Sequence, residues 1–257
     1  MKKIVTFVLL LISGLSYAQQ DAQFSNYMYN TLSFNPAYAG SRGTTSIYLS
    51  QRTQWVGLEG APSTNSLSYH SPLGYSNIGI GLSLLNDAIG PVEENLISID
   101  VSYSIRTSND SQLAFGLRAS AHILNVDFTQ LNIFNPSDVL AQSNINNRVS
   151  PNIGFGMFWY SDNSYVGFSI PNLLETRHIN KGLNSSVSSV SKERLHYHFT
   201  AGHVYKISQD ILFKPAILAK IVSGTPFQLD LSSNFQIYDK FTIGASYRLD
   251  AAVSFLG

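Results

Sequence analysis

The chain has 257 residues with 16 basic and 16 acidic side chains, so its formal net charge is zero at pH 7. Charged residues make up 12%, against roughly 25% in ordinary soluble domains, while aromatic residues also reach 12%. This balance excludes a disordered chain and a helical rod and leaves no basic field for a nucleic acid. The absence of cysteine excludes a disulfide framework, a thiolate zinc site, a Cys nucleophile and an acylated anchor.

In chain order, Lys2 and Lys3 precede an apolar run at 4–12 broken only by Thr6, and Ser16, Tyr17 and Ala18 end it with small residues at the −3 and −1 positions. That is the pattern of an export signal over residues 1–18, with cleavage expected between Ala18 and Gln19. The run is far shorter than the roughly 20 residues a spanning helix needs. Residues 19–41 follow. Phe24, Tyr27, Tyr29, Phe34 and Tyr38 give this segment apolar bulk without strand alternation. Asn35 stands before Pro36, which restricts it to extended or turn geometry, and Gly40 permits a sharp turn into the first strand. Two roles stay open for the segment: a strap packed on the inner wall of a barrel, or a plug that docks a periplasmic protein.

From residue 42 onward the dominant signal has period two. Ile97, Ile99, Val101, Tyr103 and Ile105 alternate with Ser98, Asp100, Ser102, Ser104 and Arg106, which describes a strand with one wet face. The same alternation marks Ile78, Ile80, Leu82 and Leu84 against Gly79, Gly81 and Ser83, and residues 227–237. Weaker copies occupy 45–52, 64–70, 113–124, 152–160, 165–170, 195–206, 211–221 and 241–249, with a twelfth strand starting at Ala251. Tight polar turns at 161–163 and 208–210 alternate with long polar connections at 125–149 and 172–194, so neighbouring strands are expected to be antiparallel.

Strands of nine to eleven residues suit a tilted crossing of a hydrocarbon core. The polar face carries Asp100, Arg106, Arg118, Lys214, Lys220, Asp230 and Arg248, charges costly in a dry sandwich core but normal in a wet lumen. Tyr48, Tyr69, Tyr103, Tyr197 and Tyr247 are assigned to the apolar, lipid-facing side, as an aromatic girdle would be. The expected fold is therefore all-β, an antiparallel transmembrane β-barrel of outer-membrane type over residues 42–257. Bacterial barrels usually have an even strand count. Eleven or twelve strands, ending at Phe255-Leu256-Gly257 without the usual terminal aromatic residue, lead to the expectation that the barrel is incomplete at its C-terminus.

Signals for chemistry are weak. His196 and His198 share a strand face, but no acidic pattern completes a metal site. Asp100 with Asp230, or Glu93 with Glu94, are carboxylates that no spacing brings together. No nucleophile elbow and no phosphate loop occur. No enzyme, cofactor, metal or small-molecule substrate is expected.

The opening after the signal reads Gln20-Asp21-Ala22-Gln23-Phe24-Ser25-Asn26-Tyr27-Met28-Tyr29-Asn30, followed by Phe34-Asn35-Pro36-Ala37-Tyr38-Ala39-Gly40-Ser41. It resembles the start of the PorP/SprF family, outer-membrane proteins of the Bacteroidota type IX secretion system. Further matches are Arg52-Thr53-Gln54-Trp55 with Gly60-Ala61-Pro62 and Thr64, the Gly79 to Asp87 strand ending at Gly90, Pro151-Asn152-Ile153-Gly154, Val166-Gly167-Phe168-Ser169 with Asn172-Leu173-Leu174, and Lys214-Pro215. The resemblance implies an outer-membrane barrel with more strands than are visible here, working in secretion and gliding through partners. Those partners are the periplasmic ring lipoproteins or the C-terminal sorting domain of a secreted cargo or adhesin, besides the outer-membrane lipids. Beside the resemblance, the physical reading of the segment makes Phe24, Tyr27, Phe34, Asn35, Pro36, Tyr38 and Gly40 the candidate strap or partner-binding residues. A porin-like diffusion channel is the alternative that the polar lumen also permits.

Overall fold

A computed structural model describes residues 27–74, 76–130, 144–174 and 194–257. The signal segment with Ala18 and Gln19, Phe24, and most of the two long connections lie outside the described residues. Every regular element of any length is a strand: β1 (Ser46–Thr53), β2 (Ser63–Pro72), β3 (Ile78–Ile89), β4 (Val92–Arg106), β5 (Ser111–Val126), β6 (Ile145–Ser161), β7 (Ser164–Ile170), β8 (His196–His203), β9 (Tyr205–Lys206), β10 (Ile211–Val222), β11 (Gln228–Ile237), β12 (Phe241–Arg248) and β13 (Ala252–Leu256). They form one antiparallel sheet in chain order, with β8 and β9 both pairing with β10. Helical structure among the described residues is limited to three short 3-10 turns, and none of their helices is long and apolar enough to cross a membrane.

The alternation fixes which way each strand faces. On β4, Ser98, Asp100 and Ser102 are buried while Ile97, Ile99, Val101, Tyr103 and Ile105 are exposed. The register carries this arrangement sideways: Leu82 lies opposite Ile99 and Ser83 opposite Ser98, and Asp100 lies opposite Arg118. Leu117, Ile153, Val166, Phe199, Ile217, Leu231, Ile243 and Val253 are exposed in their turn. The sheet is thus apolar outside and polar inside, the reverse of a soluble domain and the pattern of a membrane barrel. From Ile97 to Ile105 the apolar stripe runs roughly 27 Å along the strand, or about 20 Å across a membrane at a tilt of about 40°.

At one end the strands are joined only by short turns, after β2, β4, β6, β9 and β11; at the other, short turns after β3, β10 and β12 stand beside the wider sequence separations that follow β1, β5 and β7. Curvature is established by the segment before β1, whose contacts reach from His70 on β2 to Asp230 on β11, all on one face of the sheet. Only a sheet wrapped around that segment can offer all those partners. Among the described residues β1 pairs only with β2 and β13 only with β12, so the wrapped sheet is not closed between them.

Four sequence expectations need correction. Tyr48 lies opposite Ser68 and faces inward, because β1 pairs Ile47 and Leu49 with Tyr69 and Leu67 on the outer face. The connection expected at 125–149 is shorter, since β5 runs on to Val126 and β6 begins at Ile145 around an irregularity between Leu124 and Val126. The strand expected at 195–206 is interrupted at Val204, whose N–H donates to the Asn163 carbonyl instead of continuing the ladder. Arg106 is exposed, being the last residue of β4.

Candidate functional site

Residues 27–40 enter the wrapped sheet and lie along its inner wall. Tyr27 is buried against Ala216 and Leu218 of β10. Its hydroxyl donates to Ser232 Oγ at 3.2 Å and lies 3.4 Å from the Asp230 carbonyl, 203 positions away in the chain. Burial pushes the Tyr27 phenol up to about 12; the Ser232 bond opposes the rise and the Asp230 charge adds to it. Tyr29 is raised too, first by burial, with Thr242 opposing the rise and Tyr48 adding to it. The next residues turn across the lumen in two 3-10 turns, Thr31–Ser33 and Pro36–Tyr38.

Asn35 makes the second turn possible. Its backbone is extended, at φ −127° and ψ 105°, as the following proline requires. Its side-chain oxygen accepts from Ala37 N at 3.0 Å, capping the turn, while its side-chain nitrogen donates to the Met157 carbonyl of β6 at 3.0 Å. Pro36 supplies the fixed φ of the first position of the turn. Tyr38 packs edge-on against His70 and Phe158, with ring centroids 5.2 Å away in each case, and its hydroxyl accepts from Arg42 Nε. Phe34 stacks on His198 at 5.5 Å. Gly40 has φ +73°, a conformation glycine adopts without penalty, and its N–H donates to His70 Nδ1 at 3.2 Å.

Glycines on the wall make room for this backbone. A Cβ on Gly79 would sit 2.1 Å from the Ala39 carbonyl oxygen, one on Gly116 2.2 Å from Ala37 N, and one on Gly156 2.1 Å from Asn35 Oδ1. These positions face inward on β3, β5 and β6, so the segment meets the wall through its main chain at Gly79 and Gly116 and through the Asn35 side chain at Gly156, with Ala37 and Ala114 fully buried between them. Beside Gly79, Ser102 Oγ donates to the Ala39 carbonyl at 2.6 Å.

One ion pair ties the segment to the barrel electrostatically. Arg118 and Asp100 are 4% and 0% exposed. They form a bidentate pair, with Nε to Oδ1 at 2.7 Å and Nη2 to Oδ2 at 2.9 Å. The remaining guanidinium donors reach the Ser33 carbonyl at 2.8 Å and the Leu32 carbonyl. The buried charge is therefore neutralised, and each of its three nitrogens donates a hydrogen bond, the condition under which burying it is tolerable. Asp230 and Arg248 repeat the device on β11 and β12, with Nε to Oδ1 at 2.6 Å. The two aspartates are thus not a carboxylate pair; each belongs to an arginine.

Further along, residues 171–174 fold onto β6. Asn152 Nδ2 donates to the Leu174 carbonyl and Leu174 N donates back to Asn152 Oδ1, both at 2.8 Å. Gly154 lies under the Pro171 carbonyl. His196 and His198 have ring centroids 6.3 Å apart, and no group of three or more His, Asp or Glu side chains that could hold a metal occurs among the described residues. Glu93 accepts from Asn86 and Asn95 at the edge of the sheet.

Sequence reading pointed to the segment and to Tyr27, Phe34, Asn35, Pro36, Tyr38 and Gly40 within it, but missed His70, Gly116, Gly156 and the Asp–Arg partnerships. A signal for the latter existed. Reflecting Asp100 through a turn centred on Asn109 lands on Arg118, and reflecting Asp230 through Asp239 lands on Arg248, as antiparallel hairpins require.

A search of curated proteins finds no match to the chain. The family model of the type IX secretion system membrane protein PorP/SprF matches residues 16–257, the whole of the described wall together with the segment it encloses. The chain belongs to the PorP/SprF family of type IX secretion system membrane proteins.

Proposed function

We propose that the chain is a non-enzymatic outer-membrane component of the type IX secretion and gliding machinery, joining the membrane to the periplasmic ring lipoproteins or to the sorting domain of a secreted cargo. The observation that carries this reading is the lumen: it holds the chain's own residues 27–40, bonded to the wall from β2 to β11. A barrel built around its own backbone serves better as a rigid membrane anchor than as a conduit. The diffusion-channel reading draws support only from the polar inner face.

Within this reading Tyr27, Phe34, Asn35, Pro36, Tyr38 and Gly40 act as a strap rather than as partner contacts, since Tyr27, Asn35 and Pro36 are buried inside the barrel and present no surface to another protein. Export through a signal peptide at 1–18 belongs to the same proposal, and N-terminal sequencing of the mature protein should begin at Gln19. The main test is purification of the protein from outer membranes in mild detergent, mass spectrometry of what accompanies it, and conductance in planar bilayers. Ring lipoproteins or a sorting-domain protein in the eluate, with no steady conductance, is the expected result. A partner-free barrel with steady single-channel current would overturn it.

A further inference from the structure

A groove of about 810 Å3 lies on the outer face of the sheet, across β1 to β6 at the end that carries the long connections. Its lower part is formed by one lateral row of the apolar stripe, where Leu49, Leu67, Leu84 and Ile97 stand opposite one another. One row further up, the register sets Gln51, Asn65, Asn86 and Asn95 side by side. On β1 to β4 the outer face here changes from hydrocarbon to carboxamide within a single pleat, as a surface at the boundary between acyl chains and headgroups must, while on β5 and β6 the same row stays apolar as Ile123 and Val149.

The carboxamides are organised. Asn65 Nδ2 donates to Asn86 Oδ1 at 3.4 Å, and Asn86 Nδ2 donates to Asn95 Oδ1 at 2.9 Å and to Glu93 Oε1 at 2.8 Å. Asn125 Oδ1 accepts from the N–H of Asn147, which the φ of +50° at Asn147 turns toward it. Among the described residues Gln51 makes no side-chain hydrogen bond, and Asn125 Nδ2 and Asn65 Oδ1 make none either. The row therefore offers both donors and acceptors to something lying in the groove. No residue lining it is charged, and the nearest ionised group, Glu93, is an acid.

We propose that this groove is a lipid site that takes one acyl chain along Leu49, Leu67, Leu84 and Ile97 together with an uncharged, hydroxyl-rich headgroup at the carboxamide row. Continuity with the lipid-facing stripe supplies the acyl part. Charge selects the headgroup: a phosphate meets no Lys or Arg in the lining and meets Glu93 at its edge, whereas sugar hydroxyls match carboxamides as both donors and acceptors.

The test uses the full chain in detergent, native mass spectrometry, and two probes with identical acyl chains, monoglucosyl diacylglycerol and phosphatidylglycerol. The wild type should retain one glucosyl lipid in clear preference to the phospholipid. In Asn86→Leu/Asn95→Leu that preference should fall about tenfold, the equivalent of one or two neutral hydrogen bonds. Gln51→Leu provides a second variant that removes groove donors without touching the Asn86–Glu93 bonds, and it should lower the preference in a barrel of unchanged heat-modifiability. Equal retention of the two lipids by the wild type, or a preference that survives in both variants, overturns the proposal.

Discussion

Gly79→Ala tests whether the segment and the wall are held by main-chain contact. The added methyl would lie 2.1 Å from the Ala39 carbonyl oxygen and 2.6 Å from Ser102 Oγ, well over an ångström inside ordinary van der Waals separation. The Ser102 hydroxyl can rotate away, but the Ala39 carbonyl is main chain, so the backbone at Ala39 and Gly40 must move. That movement breaks the Ser102–Ala39 and Gly40–His70 hydrogen bonds, each worth about 0.5–1.5 kcal/mol, or else strains the wall by about 1–3 kcal/mol. A shift of about 1–3 kcal/mol toward the displaced segment corresponds to a roughly 5- to 150-fold larger open population. Because the chain has no cysteine, a single Leu32→Cys reporter on a side chain only 1% exposed reads that population directly through its maleimide labelling rate. Labelling should be slow in the reporter background and should accelerate by that factor once Gly79→Ala is added, while the barrel stays folded by heat-modifiability on gels. An unchanged rate in a folded barrel would refute main-chain contact as the basis of the seat.

Three further outcomes follow from the same geometry. Arg118→Ala leaves Asp100 buried without its partner and should destabilise the barrel by about 3–5 kcal/mol in urea unfolding from detergent, whereas Asp100→Leu/Arg118→Met should cost much less. Asn35→Leu removes both the turn cap and the bond to Met157, so Leu32→Cys labelling should rise by roughly the factor expected for 1–3 kcal/mol. Asp127 is held below the ordinary carboxylate range by hydrogen bonds from Thr129 and Gln130, with Asn144 adding to them. Its contribution to the order of that loop is therefore complete above the unfolded pKa and is lost as pH falls through the lower folded value. The Thr129 amide signal should move through that acid range and stay constant between pH 5 and 8, and Asp127→Asn should abolish the movement.

The resemblance to secretion-system membrane proteins rests on motifs that the fold brings into contact with one another. Asn35-Pro36-Ala37-Tyr38-Ala39-Gly40 seats on Gly79, Gly116 and Gly156, and Asn152 holds the backbone at Leu174. Residues 27–40 are therefore as much a part of the barrel's interior packing as the inward face of any strand. A truncation that removes them would leave the Arg118 guanidinium without its two carbonyl acceptors and the aromatic group of Tyr38, His70 and Phe158 without its centre.

By itself the sequence determined the strands and the chemistry of their two faces. Alternation is a local property, since successive side chains on a pleated backbone point to opposite sides whatever they pair with; this is why Ile97 to Ile105 could be read as one apolar stripe before any neighbour was known. Tyr48 shows the limit of local reading: a tyrosine suits either face, and only the pairing of β1 with β2 put it inside. Tertiary structure alone decided what the inner face encloses. The partners of residues 27–40 lie 30 to 205 positions further along the chain, and the alternation marks the glycines that admit them only as positions of the inner face, because the absence of a side chain acquires meaning only when another backbone arrives against it. The physical reason is that strand orientation is set by the covalent geometry of neighbouring residues, whereas the seat of the segment exists only after the sheet has wrapped around it.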